Sequence, residues 1–244
     1  MITLIGTGHV FDLTQPLLTV LDDKHPDCIC VELDAQRYQA LLQREQHPNE
    51  PTQPDTSLPF IYRILARFQE NMAHQYGVHA GSEMVTAINY AQSHHLPLEL
   101  IDADAQRLFT TMWQTMPMRE KFKLLLSGVS GLFVSRKQVE KELEKYQNDF
   151  DTYLKEIGNK FPTIKKTLID DRNTYMVTAL ETLAAQHQCI VALVGDGHIP
   201  GISSLLADKH LAYETLRLPD LQRIQPEAAE NASASFSTDY NPPE

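Results

Sequence analysis

The sequence predicts an α/β fold: a mainly parallel sheet flanked by helices, with a long helical hairpin insertion between the third and fourth strands. Three observations carry it. Short apolar, β-branched runs alternate with amphipathic stretches, the order that builds βαβ units. Two runs, Thr-Leu-Ile-Gly-Thr-Gly-His-Val at 3–10 and Ala-Leu-Val-Gly-Asp-Gly-His-Ile at 192–199, stop at the same Gly-x-Gly-His turn. Between Met118 and His187 no segment has strand character, so the insertion reads as helical.

The elements follow in order. Ile2–Ile5 is the first strand, and Thr14–Lys24 a helix with Thr14 as cap and Pro16 in its first turn. Asp27–Leu33 is the second strand, and Ala35–Arg44 its helix. His47–Pro59 holds four prolines among polar residues and reads as a surface loop. Phe60–Gln75 and Ser82–His95 are helices with Gly77 and Gly81 between them. Leu98–Asp102 is the third strand and Ala103–Met116 a helix, with Asp102 or Asp104 as its cap. Cys189–Val194, Ile202–Lys209 and Tyr213–Leu218 complete the pattern as strand, helix and strand. Residues 1–224 are thus one domain with a helical insertion over about 105–187. The polar, Pro/Ser/Ala-rich stretch 225–244 is expected to be a disordered tail.

Within the insertion, Val139, Leu143, Tyr146, Phe150, Tyr153 and Ile157 form a heptad-spaced stripe. Paired with Lys165–His187 across a bend at Pro162, it makes an arm that packs on neighbouring helices or joins two subunits as a homodimer.

The chain has 244 residues, 42% hydrophobic and 22% charged, as soluble globular proteins do. A formal net charge of −11 argues against nucleic acid as partner, which asks for a basic footprint. No apolar run is long enough to span a bilayer, and no cleavable leader is expected. Cys28, Cys30 and Cys189 lack zinc-finger spacing and read as buried thiols, which suits a cytoplasmic location.

The chemistry gathers at strand ends. A parallel sheet binds ligands beyond the carboxyl ends of its strands, which is where His9 and His198 fall. Imidazole ligates metals and moves protons near neutrality, so the pair is a metal-site candidate. Gly6 and Gly195 allow either a positive φ or a close approach in the two turns, and both are substrate-binding candidates. Glu32 closes an otherwise apolar strand: either it reaches water beside Arg37, or it is a third ligand or general base. Asp102 shares that sheet edge and is a candidate for substrate binding. Glu83 sits where a helix dipole favours an acid. Arg172 either pairs with Asp170 and Asp171 or clamps a substrate carboxylate. Gly6, Gly8 and Glu32 imitate a dinucleotide fingerprint, but Phe11 stands where its third small residue belongs.

These residues resemble the motifs of the TraB/PrgY family, related to the Tiki proteins and, more distantly, to erythromycin-esterase and ChaN-like proteins. Gly6-Thr-Gly-His9-Val and Gly195-Asp-Gly-His198-Ile-Pro-Gly201 resemble its opening and closing Gly-x-x-His motifs. Val31-Glu-Leu-Asp-Ala-Gln-Arg37 resembles its Val-Glu-Leu-x-x-x-Arg segment. Gly81-Ser-Glu-Met84, Leu100-Ile-Asp-Ala-Asp104 and the Arg172 region resemble its middle motifs, with Asn173 where members often place an acid. The resemblance implies a metal-dependent hydrolase, most simply a peptidase, with a peptide or small-molecule substrate. Its plasmid branch implies the alternative, a protein that binds and sequesters a peptide pheromone. Metal ligands would be His9, Glu32 and His198, a sufficient set for Zn, Mn, Co or Fe with a position open to water. Glu32, Glu83, Arg37 and Arg172 would be the catalytic side chains, the arginines stabilising an oxyanion.

Overall fold

The computed structural model describes residues 1–8, 12–46, 81–131, 156 and 158–224. Their sheet has five parallel strands, β1 (Ile2–Thr7), β2 (Cys28–Val31), β3 (Leu98–Leu100), β4 (Ile190–Gly195) and β5 (Tyr213–Leu216). Their order across the sheet is β3-β2-β4-β1-β5. The strand nearest the end of the sequence but one therefore lies in the middle. Its pairing sets Gly6 opposite Val194 and Thr7 opposite Gly195, which brings the two glycine turns side by side.

Side chains alternate across the sheet, and each face has its own core. On one face Ile5, Ile29, Val31, Val191 and Leu193 meet α1 (Thr14–Lys24) and α3 (Ser82–Ser93); α2 (Ala35–Gln46) lies at its margin. On the other face Leu4, Cys28, Cys30, Ala192 and Val194 meet α6 (Asp171–Ala184) and α7 (Ile199–Asp208). The inner strand residues are essentially without solvent exposure, which is why they read as continuous apolar runs. A third cluster, Phe109 and Met112 of α4 (Ala105–Thr115) with Met116 just after it, packs on Leu124 of α5 (Met118–Gly131) and on Ile164 and Leu168. A helical turn, Pro162–Lys165, continues through a π-helical stretch, Lys166–Asp170, into α6.

Several boundaries differ from expectation. Regular β2 and β3 stop at Val31 and Leu100, but single hydrogen bonds carry the pairing further: Glu32 N donates to Leu193 O at 3.0 Å and Asp102 N to Leu33 O at 3.3 Å. Both carboxylates are thus anchored through their backbone at the sheet edge. Leu13, not Thr14, holds the cap position of α1, and Asp12 Oδ1 accepts from Thr14 N at 3.0 Å. Asp104 caps α4, accepting from Arg107 N at 2.7 Å, which leaves Asp102 for other partners. Helix α7 begins at Ile199, entered from a 3₁₀ turn over Asp196–His198 with proline in its first turn.

Cys28 and Cys30 are buried and Cys189 is partly so; all are free thiols. Among the described residues no helix is long and apolar enough to cross a membrane. His9, the 47–59 loop, the 60–75 helix, all six residues of the heptad stripe and the 225–244 tail lie outside the described residues.

Candidate functional site

At the carboxyl edge of the sheet, β3, β2 and β4 deliver Asp102, Glu32 and Gly195 in neighbouring places, and His198 follows one turn later. Glu32 Oε2 accepts the Gly195 backbone N–H at 2.6 Å, while Oε1 accepts from Arg172 Nη2. His198 Nε2 lies 3.6 Å from the same Oε1. On its other side His198 Nδ1 is 2.6 Å from Asn173 Oδ1. Both side chains of the pair are well buried, at 5% and 10% exposure for His198 and Glu32.

Arg172 ties this pair to the third strand. Its Nε donates to Asp102 Oδ1 at 2.9 Å, its Nη2 to Asp102 Oδ2 at 2.6 Å, and its Nη1 to Leu168 O at 3.2 Å. Arg37, at the start of α2, donates to Asp102 through Nη2 and to Asp34 Oδ2 through Nε at 3.0 Å. Asp34 in turn caps α2, accepting from Arg37 N at 2.8 Å and also from Ala105 N at 3.2 Å. The network therefore locks two helix starts to the sheet edge. Asp102 is almost fully buried, and charge-assisted bonds to two guanidiniums are what make that tolerable.

The electrostatics follow from burial and partners. Burial pushes the His198 imidazole below its ordinary value; Glu32 opposes this, and Arg172 reinforces it. Burial would lower Arg172, but Glu32 and Asp102 outweigh it and hold the guanidinium firmly charged. Burial also tends to raise Asp34, yet the N–H and charge of Arg37 bring its carboxyl below the usual range. In formal charge, three carboxylates (Glu32, Asp34, Asp102) against two guanidiniums (Arg37, Arg172) leave −1.

Those findings place the expected residues. Glu32, Arg37, Asp102, Arg172, His198 and the Gly195 N–H share one network; Arg172 serves Glu32 and Asp102 rather than its neighbours Asp170 and Asp171. Asp170 and Asp171 bind Lys165 and Lys166 instead, at 2.7 and 2.6 Å. Glu83 is fully buried in the first turn of α3, in the layer on the α1 side. Gly6 lies under Asp196, whose carboxylate accepts from Arg217 Nε at 2.8 Å and Nη2 at 2.7 Å. Reasoning from sequence missed Asp34, Asn173, Asp196, Gly201 and Arg217. Asp34 carried a signal of its own, a helix-start acid three residues before Arg37, and Asn173, Asp196 and Gly201 stood inside the family-like motifs without a role assigned to them.

A small open cleft beside the network is lined by Arg37, Asp102, Arg172, Leu108 and Leu168. Arg37 is the more accessible guanidinium, 34% exposed against 14% for Arg172.

The donor chemistry at the sheet edge suits a divalent cation in part. A neutral imidazole and a carboxylate oxygen 3.6 Å apart match two ligands of one tetrahedral ion, which lie about 3.3–3.6 Å apart for bonds of about 2.0–2.2 Å. Among the described residues no group of three His, Cys, Asp or Glu side chains forms a metal site by itself. The third expected ligand, His9, lies outside those residues.

The model of the TraB/PrgY/gumN family matches residues 1–212. The chain belongs to the TraB/PrgY/gumN family. An uncharacterized protein of Methanocaldococcus jannaschii is similar to this TraB/PrgY/gumN protein, at 32% identity over 209 residues. That match covers 82% of this chain and 52% of the other, so the chain spans about half the length of this curated relative. The family match takes in both glycine turns, Glu32, Arg37, Glu83, Asp102, Arg172 and His198.

Proposed function

We propose that the chain is a metal-dependent hydrolase acting on peptides, with His9, Glu32 and His198 holding the ion. The observation that carries this reading is the buried Glu32–His198 pair, each side chain pinned on its far side by a separate partner. A divalent ion bound there would supply Lewis acidity toward water and a substrate carbonyl. The side chains do the rest. His198, kept neutral by burial, offers a lone pair rather than a charge. Glu32 is fixed by Gly195 N–H and by Arg172, and its Oε1 faces the imidazole, the place from which it would share the ion with His198. Arg172 spends its donors on Glu32, Asp102 and Leu168, so it orients the carboxylate. Arg37, more exposed and lining the cleft, is the guanidinium placed to meet a developing oxyanion or a substrate carboxylate. Asp102 accepts from both arginines and so holds them in place.

The test is a peptide library incubated with purified protein supplied with Zn²⁺, Mn²⁺, Co²⁺ or Fe²⁺, beside His9→Ala, Glu32→Gln and His198→Gln. One metal is expected to support cleavage, and each substitution to lower it by roughly 100-fold or more. Equal cleavage by all three variants ends the proposal. Peptides that bind and are recovered intact, with metal present, would instead assign the cleft to sequestration.

A further inference from the structure

Arg172 and Asn173 are consecutive on α6, and both reach the sheet edge. Arg172 grips Glu32; Asn173 grips His198. Asn173 and His198 are 3% and 4% exposed, so their contact at 2.6 Å is shielded from water. A backbone device makes room for it. The side-chain amide of Asn173 occupies the space where a Cβ on Gly201 would stand, so only glycine at the start of α7 lets the amide lie against the imidazole. The opposite ring nitrogen does not donate to Glu32: 3.6 Å is beyond hydrogen-bond reach. Both Glu32 oxygens already accept, one from Arg172 and one from Gly195. With one proton on a neutral ring, the shielded short contact is the place for it.

We propose that Asn173 is a positioning residue: its side-chain carbonyl holds His198 in the Nδ1–H tautomer and turns the unprotonated Nε2 toward Glu32. Gly201 is part of the same device, since it admits the amide. The chemistry explains the residue type. An amide oxygen accepts the Nδ1 proton without adding a further negative charge to a cluster that already has a formal excess of one. A ligating histidine commonly gives its other N–H to such an acceptor, which fixes the ring and its lone pair. The tautomer stands without any ion; its use in ligation rests on the metal-dependent reading above.

Long-range ¹H–¹⁵N correlation of the metal-free full chain reads the tautomer directly, with His198 assigned by the signals absent from His198→Gln. The wild type is expected to show a protonated Nδ1 and an unprotonated Nε2. Asn173→Leu, which removes the acceptor, and Gly201→Ala, which keeps Asn173 but displaces its amide, are both expected to lose that pattern. Asn173→Asp, which keeps an acceptor, is expected to retain it. An Nε2–H pattern in the wild type overturns the proposal, as does an unchanged Nδ1–H pattern in either folded disrupting variant. Calorimetric titration with Zn²⁺ then separates the two layers. Binding about 10–100-fold weaker in Asn173→Leu, with recovery in Asn173→Asp, joins the tautomer to ligation. A wild type with the Nδ1–H pattern that takes up none of Zn²⁺, Mn²⁺, Co²⁺ and Fe²⁺ in parallel titrations leaves the positioning role standing and ends the metal reading instead.

Discussion

Gly6 and Gly195 hold matching places in the two Gly-x-Gly-His turns, yet for different reasons. Neither has a positive φ. A Cβ on Gly6 would run into Asp196 Oδ1, and that carboxylate cannot move aside because Arg217 and the Leu218 N–H, at 2.9 Å, hold it. A Cβ on Gly195 would meet Glu32 Oε2 at 3.4 Å and His198 Cδ2 at 3.7 Å, ordinary contacts, and Gly195 serves through its backbone N–H. Gly6→Ala is therefore expected to cost about 1–3 kcal/mol, the usual penalty for overpacking a rigid place. Gly195→Ala is expected to stay within about 1 kcal/mol of the wild type. Urea unfolding midpoints of the two variants check this; equal losses would show that the Asp196 latch gives way. The middle residue of the second turn thus restrains the first glycine of the first turn, so the repeat is a mutual fit as well as a resemblance.

At the scale of elements, α6 is the one that most decides the site. It brings Arg172 to two carboxylates that are 1% and 10% exposed. Arg172→Leu would strand that buried charge, and the expected cost is about 3–5 kcal/mol, measured by denaturant unfolding. Arg37→Leu leaves Asp102 still bound by Arg172 and is expected to cost distinctly less; a larger loss from Arg37 would reverse this ranking. The strands and the helices flanking them were legible because alternation and helical periodicity reflect burial on one or two faces. The strand-end residues Glu32, Asp102 and His198 were legible too, since a parallel sheet puts all its carboxyl ends on one edge. The role of Asn173 was not, because nothing local says that two consecutive residues of one helix both reach that edge. The pairing of Asp170 and Asp171 with Arg172 failed for a nameable reason. The π-helical stretch Lys166–Asp170 lines residues up five apart, so Lys165 meets Asp170 and Lys166 meets Asp171.

At the scale of the whole molecule, the heptad-spaced stripe of Val139–Ile157 still asks for a cover, since each large apolar side chain removed from water contributes roughly 1.5–3 kcal/mol. A homodimer through this segment is the expected outcome by light scattering, with a Leu143→Glu, Phe150→Glu double variant reduced to monomer. A monomeric wild type, or a folded variant that stays dimeric, would refute it. The position of β4 has its own consequence, in the order of synthesis. β1 and β2 are synthesised within the first 31 residues, but neither pairs with the other; the seam between them is β4, whose first residue is 190. Until then, of the described strands, β2 and β3 can pair while β1 has no partner, and contacts spanning so much sequence close slowly. Gly195 and His198 arrive with that seam. Translation therefore completes the architecture and the chemistry together, and no shorter intermediate on the ribosome carries the assembled site.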